Sequence, residues 1–127
     1  MKRILTAGTF DILHPSHLDL LEKKYDFNAE LYVMLSTDEF NTLKGKKSIM
    51  TYEERKRILK GLSCVDYVLP ETSWDDKLKY IKEFDIDIFI MGDDWYGKFD
   101  FLKKHGVKVI YYPRGPISST DIKKSVS

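Results

Sequence analysis

The chain alternates short apolar runs with longer amphipathic segments, and this alternation limits its possible folds more than any other feature. Five apolar runs of strand length occur along the 127 residues, each followed by a segment with helical spacing. Such a β-α repeat is typical of a parallel sheet covered by helices on both faces. The predicted strands are RILTAG (3–8), ELYVMLS (30–36), VDYVLP (65–70), DIFIM (87–91) and VKVIYY (107–112).

Local signals mark where the helices begin. Pro15 suits a first helical turn, where its missing N–H would have no partner anyway. Thr51 and Glu54 form a capping box, and Pro70 is expected to stop the third strand. The predicted helices run from His17 to about Lys24, from Thr51 to about Leu62, over about 75–84 with Ser73 as the cap, over Phe99–Lys104, and from Ser118 or Ser119 through Ile122 and Val126.

Composition excludes several classes of protein. The 21 basic and 20 acidic residues give a formal charge of +1, whereas a dedicated nucleic-acid binder usually has a clear basic excess. One cysteine, Cys64, excludes a disulfide framework and a cysteine-based zinc site. No apolar run is long enough for a membrane span or a signal peptide. We expect a cytoplasmic protein without a membrane or nucleic-acid partner.

Polar and glycine-rich residues gather after the strands. These stretches are GTFDILHPSH, STDEF, GDDWYGK and PRGPISST, after strands one, two, four and five. In an open parallel sheet, ligands bind outside the carboxyl ends of the strands. The sequence therefore predicts one ligand site at that edge.

His14 and His17 lie three residues apart where strand one gives way to a helix. Gly8 lets the backbone turn there, and the helix offers free N–H groups to an anion. Imidazoles in this place can donate hydrogen bonds to phosphate and stabilise a transferring phosphoryl group. Two histidines at this spacing also occur as metal ligands or as packed pairs. Their position after strand one favours the phosphate interpretation.

Several other residues have two interpretations. Lys44 and Lys46 form either a solvated loop or a lysine pair that closes over a polyphosphate. Arg55 either binds phosphate or pairs with a surface acid. Asp94, with Asp93, would read an exocyclic amine or hold a metal, and Asp11 is a second metal candidate. Trp74 would belong to the core or to the wall of an acceptor site.

The last polar stretch combines hydroxyls with a helix start. One serine of ISST (117–120) must cap the helix, and the remaining hydroxyls suit a phosphate. Arg114 would contact phosphate or a base. A redox dinucleotide fold is disfavoured, because no GxGxxG follows strand one.

These residues together resemble the glycerol-3-phosphate cytidylyltransferase family, within the HxGH nucleotidyltransferase superfamily. The similarity covers nearly the whole chain, and GDDWYGKFDFL is its most specific part. It implies a single homodimeric nucleotidyltransferase domain over 1–127 with a Rossmann-like α/β fold. It also implies CTP and Mg²⁺ as ligands, a small phosphorylated acceptor and pyrophosphate as by-product. The similar blocks are GTFDILHPSH, STDEFN (36–41), YEERK (52–56), VDYVLPE (65–71), SWDDK (73–77), FIMGDDWYGKFDFLK (89–103) and ISST.

The resemblance assigns roles to residues by position. His14, His17, Lys46 and Arg114 would be catalytic. Nucleotide contacts would come from Gly8, Thr9, Phe10, Lys44, Gly92, Asp94, Ser118, Ser119 and Thr120. Acceptor contacts would come from Asp11, Asp38, Arg55, Asp66, Trp74 and Lys77, and Asp11 would also bind the metal.

The implied reaction is in-line attack of a phosphomonoester oxygen on the α-phosphorus of CTP, which needs no covalent enzyme intermediate. Ser16 stands where the family has glycine, Ser63 stands where it usually has arginine, and RGPISST is one residue shorter than the family loop. The missing arginine would remove a positive charge near the expected acceptor phosphate. Glycerol 3-phosphate is therefore one candidate among small phosphorylated alcohols, amines and amino-acid derivatives. ATP in place of CTP, and a CTP-binding module without catalysis, are the alternatives.

Overall fold

The computed structural model describes residues 1–113 and contains one five-stranded sheet in which every pairing is parallel. The strand order is β3-β2-β1-β4-β5, so the chain builds outward from β1 on one side and then crosses to the other. This confirms the predicted α/β architecture. The strands are β1 Lys2–Gly8, β2 Ala29–Ser36, β3 Tyr67–Glu71, β4 Ile88–Gly92 and β5 Lys108–Tyr112.

Four α-helices connect the strands within the described part of the chain. They are α1 Pro15–Leu21, α2 Asp38–Leu43, α3 Tyr52–Lys60 and α4 Asp76–Glu83. Short 3₁₀ helices cover Glu22–Phe27, Asp93–Trp95 and Asp100–His105. The predicted capping box at Thr51 and Glu54 is present at the start of α3, and Pro15 occupies the first turn of α1.

Alternate residues of each strand point to opposite faces of the sheet, and both faces are buried because helices cover them. On one face, strand residues such as Leu5 and Phe89 pack against α4 and the Asp100–His105 segment. On the other face, Ile4 and Ile90 pack with residues of α1 and α3. Helices therefore cover both faces, as the sequence predicts.

Two local predictions are wrong. Pro70 does not stop the third strand: β3 continues to Glu71, and Pro70 lies opposite Leu35 of β2. An edge strand can contain proline because only one of its sides needs to donate hydrogen bonds. Ser73 does not cap α4; its hydroxyl instead donates to the Asp76 carboxylate, 3.2 Å away.

Helix α2 is an element that the sequence analysis missed. Thr37 caps it by accepting a hydrogen bond from Phe40 N (3.1 Å), and Asp38 and Glu39 fill its first turn. A capping threonine followed by two acids was the available signal. This helix holds the segment that carries Lys44 and Lys46 above the carboxyl end of the sheet.

The sheet order places a topological switch point between β1 and β4. The connections leave these two neighbouring strands in opposite directions, which opens a crevice between Gly8 and Gly92 at their carboxyl ends. Among the described residues, no helix is both long enough and apolar enough to cross a membrane.

Candidate active site

A cleft of about 960 Å³ opens at the switch point. Its size falls in the range of small-molecule sites, which is roughly 300–1,000 Å³. The cleft collects residues from the ends of β1, β3 and β4, the lysine segment after α2 and the first turn of α1. The residues expected at the site that line it are Gly8, Thr9, Phe10, Asp11, His14, His17, Lys44, Lys46, Trp74, Lys77, Gly92 and Asp94.

The turn after β1 depends on Gly8. A Cβ atom at this position would lie 2.9 Å from Cε2 of the Phe10 ring, closer than van der Waals contact allows. Phe10 itself has a left-handed backbone, with φ of 48°, which costs a non-glycine residue some free energy. Its ring lies 5.5 Å from the ring of His17, measured between centroids. Gly8 thus makes room for an aromatic ring that supports the histidines.

His14 and His17 form a reciprocal capping box at the start of α1. Nδ1 of His14 accepts from Ser16 N (3.3 Å), and Nδ1 of His17 accepts from His14 N (3.4 Å). The ring centroids are 4.1 Å apart. Because Nδ1 of His14 is an acceptor, the proton of its neutral ring lies on Nε2, which makes Nε2–H a donor.

His17 is neutral at physiological pH. Burial and the neighbouring His14 together lower the pKa of His17 to about 4, against a weaker opposing effect of a hydrogen bond with the Ile12 backbone. Because Nδ1 of His17 accepts from His14 N, the neutral ring can contact a phosphate oxygen only through Nε2–H.

Lys44 approaches the cleft from α2. Its ammonium donates to Ser36 Oγ (2.8 Å) and lies 4.7 Å from the centre of the Phe40 ring. Burial, followed by repulsion from Lys46, lowers the pKa of Lys44 to about 8, although Glu71 partly offsets this. Lys44 is therefore a cation near neutrality that loses its charge at mildly alkaline pH.

The wall of the cleft beside Trp74 contains a buried ion pair, and the sequence analysis predicted only one of its two members. Lys77 was expected here, but its partner Glu71 was not. Trp74, 57% exposed, lies beside them with its ring 5.2 Å from the Lys77 ammonium.

The structure revises the expectation that Arg55 contacts the acceptor. Arg55 is 0% exposed and does not line the cleft. Its guanidinium donates to the main-chain oxygens of Thr9 (2.8 Å), Ser36 (2.8 Å) and Met50 (3.2 Å), and to the carboxylate of Asp38 (2.8 Å). Arg55 therefore holds the walls of the cleft together from behind.

Asp38 and Asp66 likewise do not line the cleft, and each carboxylate binds other parts of the protein. Asp38 pairs with Arg55 and accepts from Tyr52 N (3.1 Å), and these two contacts lower its pKa. Asp66 accepts from Lys24 and from Leu31 N, both at 2.7 Å, at the amino-terminal ends of the strands. Neither carboxylate lines the cleft, and their expected contacts with the acceptor stay predictions.

Ser63 precedes β3 at that same far edge and does not line the cleft. The arginine that it replaces would therefore start from the opposite end of the sheet. Ser16 does line the cleft, in the first turn of α1.

Asp11 faces the cleft, but its carboxylate anchors a loop. One oxygen accepts from Ile49 N (2.7 Å) and the other from Met50 N (2.9 Å). Over residues 1–113, no group of three His, Cys, Asp or Glu side chains could hold a metal ion. The carboxylate of Asp11 is thus already engaged by the loop, and its expected role as a metal ligand stays a prediction.

The end of β4 supplies the opposite wall. Gly92, Asp93, Asp94 and Trp95 line the cleft, and Trp95 also packs on Phe99 at a ring distance of 5.6 Å. The expected contacts of Gly92 and Asp94 with a base stay predictions. Arg114, Ser118, Ser119, Thr120 and the last predicted helix lie outside the described residues.

The chain is similar to known proteins along nearly its whole length. Residues 5–125 match the family model described as cytidylyltransferase-like. The glycerol-3-phosphate cytidylyltransferase of Bacillus spizizenii is 50% identical over 128 residues, which cover 100% of this chain and 98% of the relative. The protein of that name from Staphylococcus aureus is 47% identical, over 99% and 96%.

More distant matches have other names. The FAD synthase of Methanohalophilus mahii is 41% identical over 95 residues, which are 74% of this chain and 65% of the relative. A crystal structure of the lipopolysaccharide core biosynthesis protein from Thermoplasma volcanium superposes with a TM-score of 0.72 at 26% identity, covering 93% of this chain and 99% of that one.

Proposed function

The chain belongs to the cytidylyltransferase-like family, and from this premise we propose that it transfers CMP from CTP to a small phosphomonoester and releases pyrophosphate. Glycerol 3-phosphate is the preferred acceptor, because the relatives at 50% and 47% identity carry its name. The product, CDP-glycerol, would serve the synthesis of teichoic acid or a related surface polymer.

One observation carries the proposal: two imidazoles and two lysines face a single cleft at the switch point of a parallel sheet. His14 and His17 are preset by their capping box, so their geometry needs little rearrangement when a triphosphate enters. Lys44 and Lys46 supply positive charge from a separate segment. This arrangement suits a polyanion that gains charge on its oxygens during the reaction.

The chemistry follows from these positions. An oxygen of the acceptor phosphate attacks the α-phosphorus of CTP, a new P–O bond forms, and the bond from the α-phosphorus to the bridging oxygen breaks as pyrophosphate leaves. The acceptor phosphate is already a nucleophile, so no side chain needs to act as a general base. His14 donates from Nε2–H to the phosphate oxygens, and the lysines offset the charge on the departing pyrophosphate.

Mg²⁺ is proposed as a companion of CTP. Because both oxygens of Asp11 bind backbone N–H groups, we assign no ligand to the metal among residues 1–113. Mg²⁺ in nucleotide sites is commonly bound by substrate phosphates and water with few protein ligands. When bound, it would neutralise part of the triphosphate charge.

The acceptor is proposed to bind at the wall formed by Trp74, Lys77 and Glu71. Lys77 offers a cation for the acceptor phosphate, and its ammonium lies 5.2 Å from the centre of the Trp74 ring. Glu71 is a hydrogen-bond acceptor suited to the hydroxyls of a polyol. These features favour a small hydroxylated phosphomonoester.

The decisive experiment incubates the protein with CTP, Mg²⁺ and a panel of phosphomonoesters. Pyrophosphate release and mass spectrometry of the product identify the acceptor. We expect CDP-glycerol from glycerol 3-phosphate. Absence of pyrophosphate with every acceptor, while CTP still binds, would instead indicate a binding module without catalysis.

The FAD synthase relative motivates a second nucleotide in the assay, because FAD contains an adenine nucleotide. Calorimetric titration of CTP and of ATP compares the two, and we expect the tighter binding for CTP. We also propose a homodimer in the cytoplasm, where CTP is available, and light scattering of the purified protein measures its mass against the 14.9 kDa of one chain.

A further inference from the structure

Asn41 lies behind the cleft and is bonded to two of its walls. It belongs to α2 and is 2% exposed, so its amide is out of reach of bulk water. Its side-chain oxygen accepts from the Thr9 hydroxyl (3.1 Å), in the turn that follows β1. Its main-chain oxygen accepts from Lys46 N (2.8 Å), in the segment that follows α2.

These two bonds join segments that are far apart in sequence. Thr9 and Lys46 both line the cleft, whereas Asn41 does not. The Thr9 hydroxyl proton is directed toward Asn41, so the Thr9 oxygen can meet a ligand only as a hydrogen-bond acceptor. The bond to Lys46 N fixes the backbone of that lysine relative to the same helix.

The side-chain amide of Asn41 also destabilises the folded protein, because one of its atoms lacks a hydrogen bond. Its Nδ2 is buried and has no hydrogen-bond partner within the described part of the chain. A buried polar group without a partner destabilises the folded state, because it has lost its hydrogen bonds to water. Such a group in a native structure calls for an explanation, and a contribution to function is one. An apolar side chain of similar shape would avoid this cost but would lose the bond to Thr9.

We propose that Asn41 is a positioning residue that takes the Thr9 hydroxyl proton and so leaves the Thr9 oxygen as an acceptor for a donor group of the nucleotide, such as a ribose hydroxyl, beside the Lys46 segment that contacts the triphosphate. The proposal rests on the proposed cytidylyltransfer. Asn41 touches neither nucleotide nor acceptor, and its effect on catalysis passes through Thr9. Small displacements of positioning groups can cost about 10²-fold in rate.

The test compares Asn41→Leu with Asn41→Asp. Leucine removes the acceptor for Thr9 and also removes the unpartnered Nδ2, so we expect an unfolding temperature at or above wild type with kcat/KM for CTP lowered at least tenfold. Aspartate keeps an oxygen for Thr9 but buries a charge, so we expect lower stability with kcat/KM above that of the leucine variant. Stability and activity then rank the two variants in opposite orders.

A double-mutant cycle with Thr9→Val tests the route through Thr9. The leucine substitution is expected to lower kcat/KM at least tenfold in wild type but less than threefold when Thr9 is already valine. Thr42→Ala, on the next residue of α2, is the matched control, because its hydroxyl donates only to the Asp38 backbone oxygen (3.1 Å) in this structure. We expect the control to keep wild-type kcat/KM.

Three results overturn the proposal: wild-type kcat/KM in Asn41→Leu, activity that follows stability across both variants, or full multiplicativity with Thr9→Val. If the leucine variant does not fold, Asn41→Ala, which also removes the acceptor for Thr9, takes its place in the cycle with Thr9→Val, with the same expected and overturning results. The failure of the proposed function itself looks different, because wild type would then release no pyrophosphate with any acceptor.

Discussion

Glu71 and Lys77 form an ion pair in which the two side chains are only 3% and 4% exposed, directly at the wall of a polar cleft. Ser36 Oγ also contacts Glu71 (3.4 Å) while accepting from Lys44 (2.8 Å), so one carboxylate is linked to two lysines. Charges removed from water to this extent persist only when their partners are present.

Glu71→Gln is therefore expected to destabilise the protein strongly. Removing one member of a buried pair leaves the other charge without compensation, at a cost of about 3–5 kcal/mol. Urea denaturation at neutral pH measures the change. Glu83→Gln, at an exposed position on α4, is the matched control and should change stability by less than about 0.5 kcal/mol. Equal stability of the two variants would show that the pair is not effectively buried in solution.

Replacing either cleft histidine with alanine should slow turnover by about 10²–10³-fold, which is the loss expected for one preorganised transition-state donor. The measurement is the steady-state rate of pyrophosphate release at saturating CTP. His105→Ala is the control, because this third histidine is exposed and lies outside the cleft. A loss confined to KM would indicate ground-state binding rather than transition-state stabilisation.

The pKa of Lys44 predicts an alkaline limit to activity. Because burial lowers that pKa to about 8, the ammonium loses its proton as the pH rises through this value, and attraction for the triphosphate falls with it. We expect kcat/KM for CTP, which reports the free enzyme, to decline above about pH 8. In Lys44→Arg the guanidinium stays charged, so the decline should move to higher pH. An identical profile in both proteins would assign the limit to another group.

The variant Asp11→Asn tests whether Asp11 anchors the loop before α3 or binds the metal. The amide can replace only one of the two acceptor oxygens that bind Ile49 N and Met50 N, so the loop before α3 should become more accessible to protease. The Mg²⁺ concentration that gives half-maximal activity is expected to stay within about twofold of wild type, because Asp11 is not assigned to the metal. A tenfold rise in that concentration, with unchanged proteolysis, would restore Asp11 as a ligand.

The sequence predicted the sheet and the edge that carries the cleft, because apolar periodicity and capping signals are local. Strand positions and the Thr51 capping box depend on residues within one turn or one strand of each other. The histidine pair could be predicted for the same reason, since both residues lie in a single helical turn.

The parts that the sequence did not predict depend on partners that are distant along the chain. Arg55 carries the same charge whether it binds substrate or three backbone oxygens, and only the fold brings Thr9, 46 residues away, to its guanidinium. Asn41 gave no signal for the same reason, because its partner Thr9 is 32 residues away. The place of Glu71 also depends on a distant partner, because it pairs with Ser36 of β2, 35 residues away.

The bonds of Arg55 have an evolutionary consequence. Of the four groups among residues 1–113 that accept hydrogen bonds from Arg55, three are main-chain oxygens, which every amino acid supplies. A substitution at residue 50 is thus compatible with the bracing of the cleft, whereas a substitution at residue 55 is not. Related proteins can therefore substitute residues at the edge of the cleft and accept new substrates, provided that they keep the arginine at position 55.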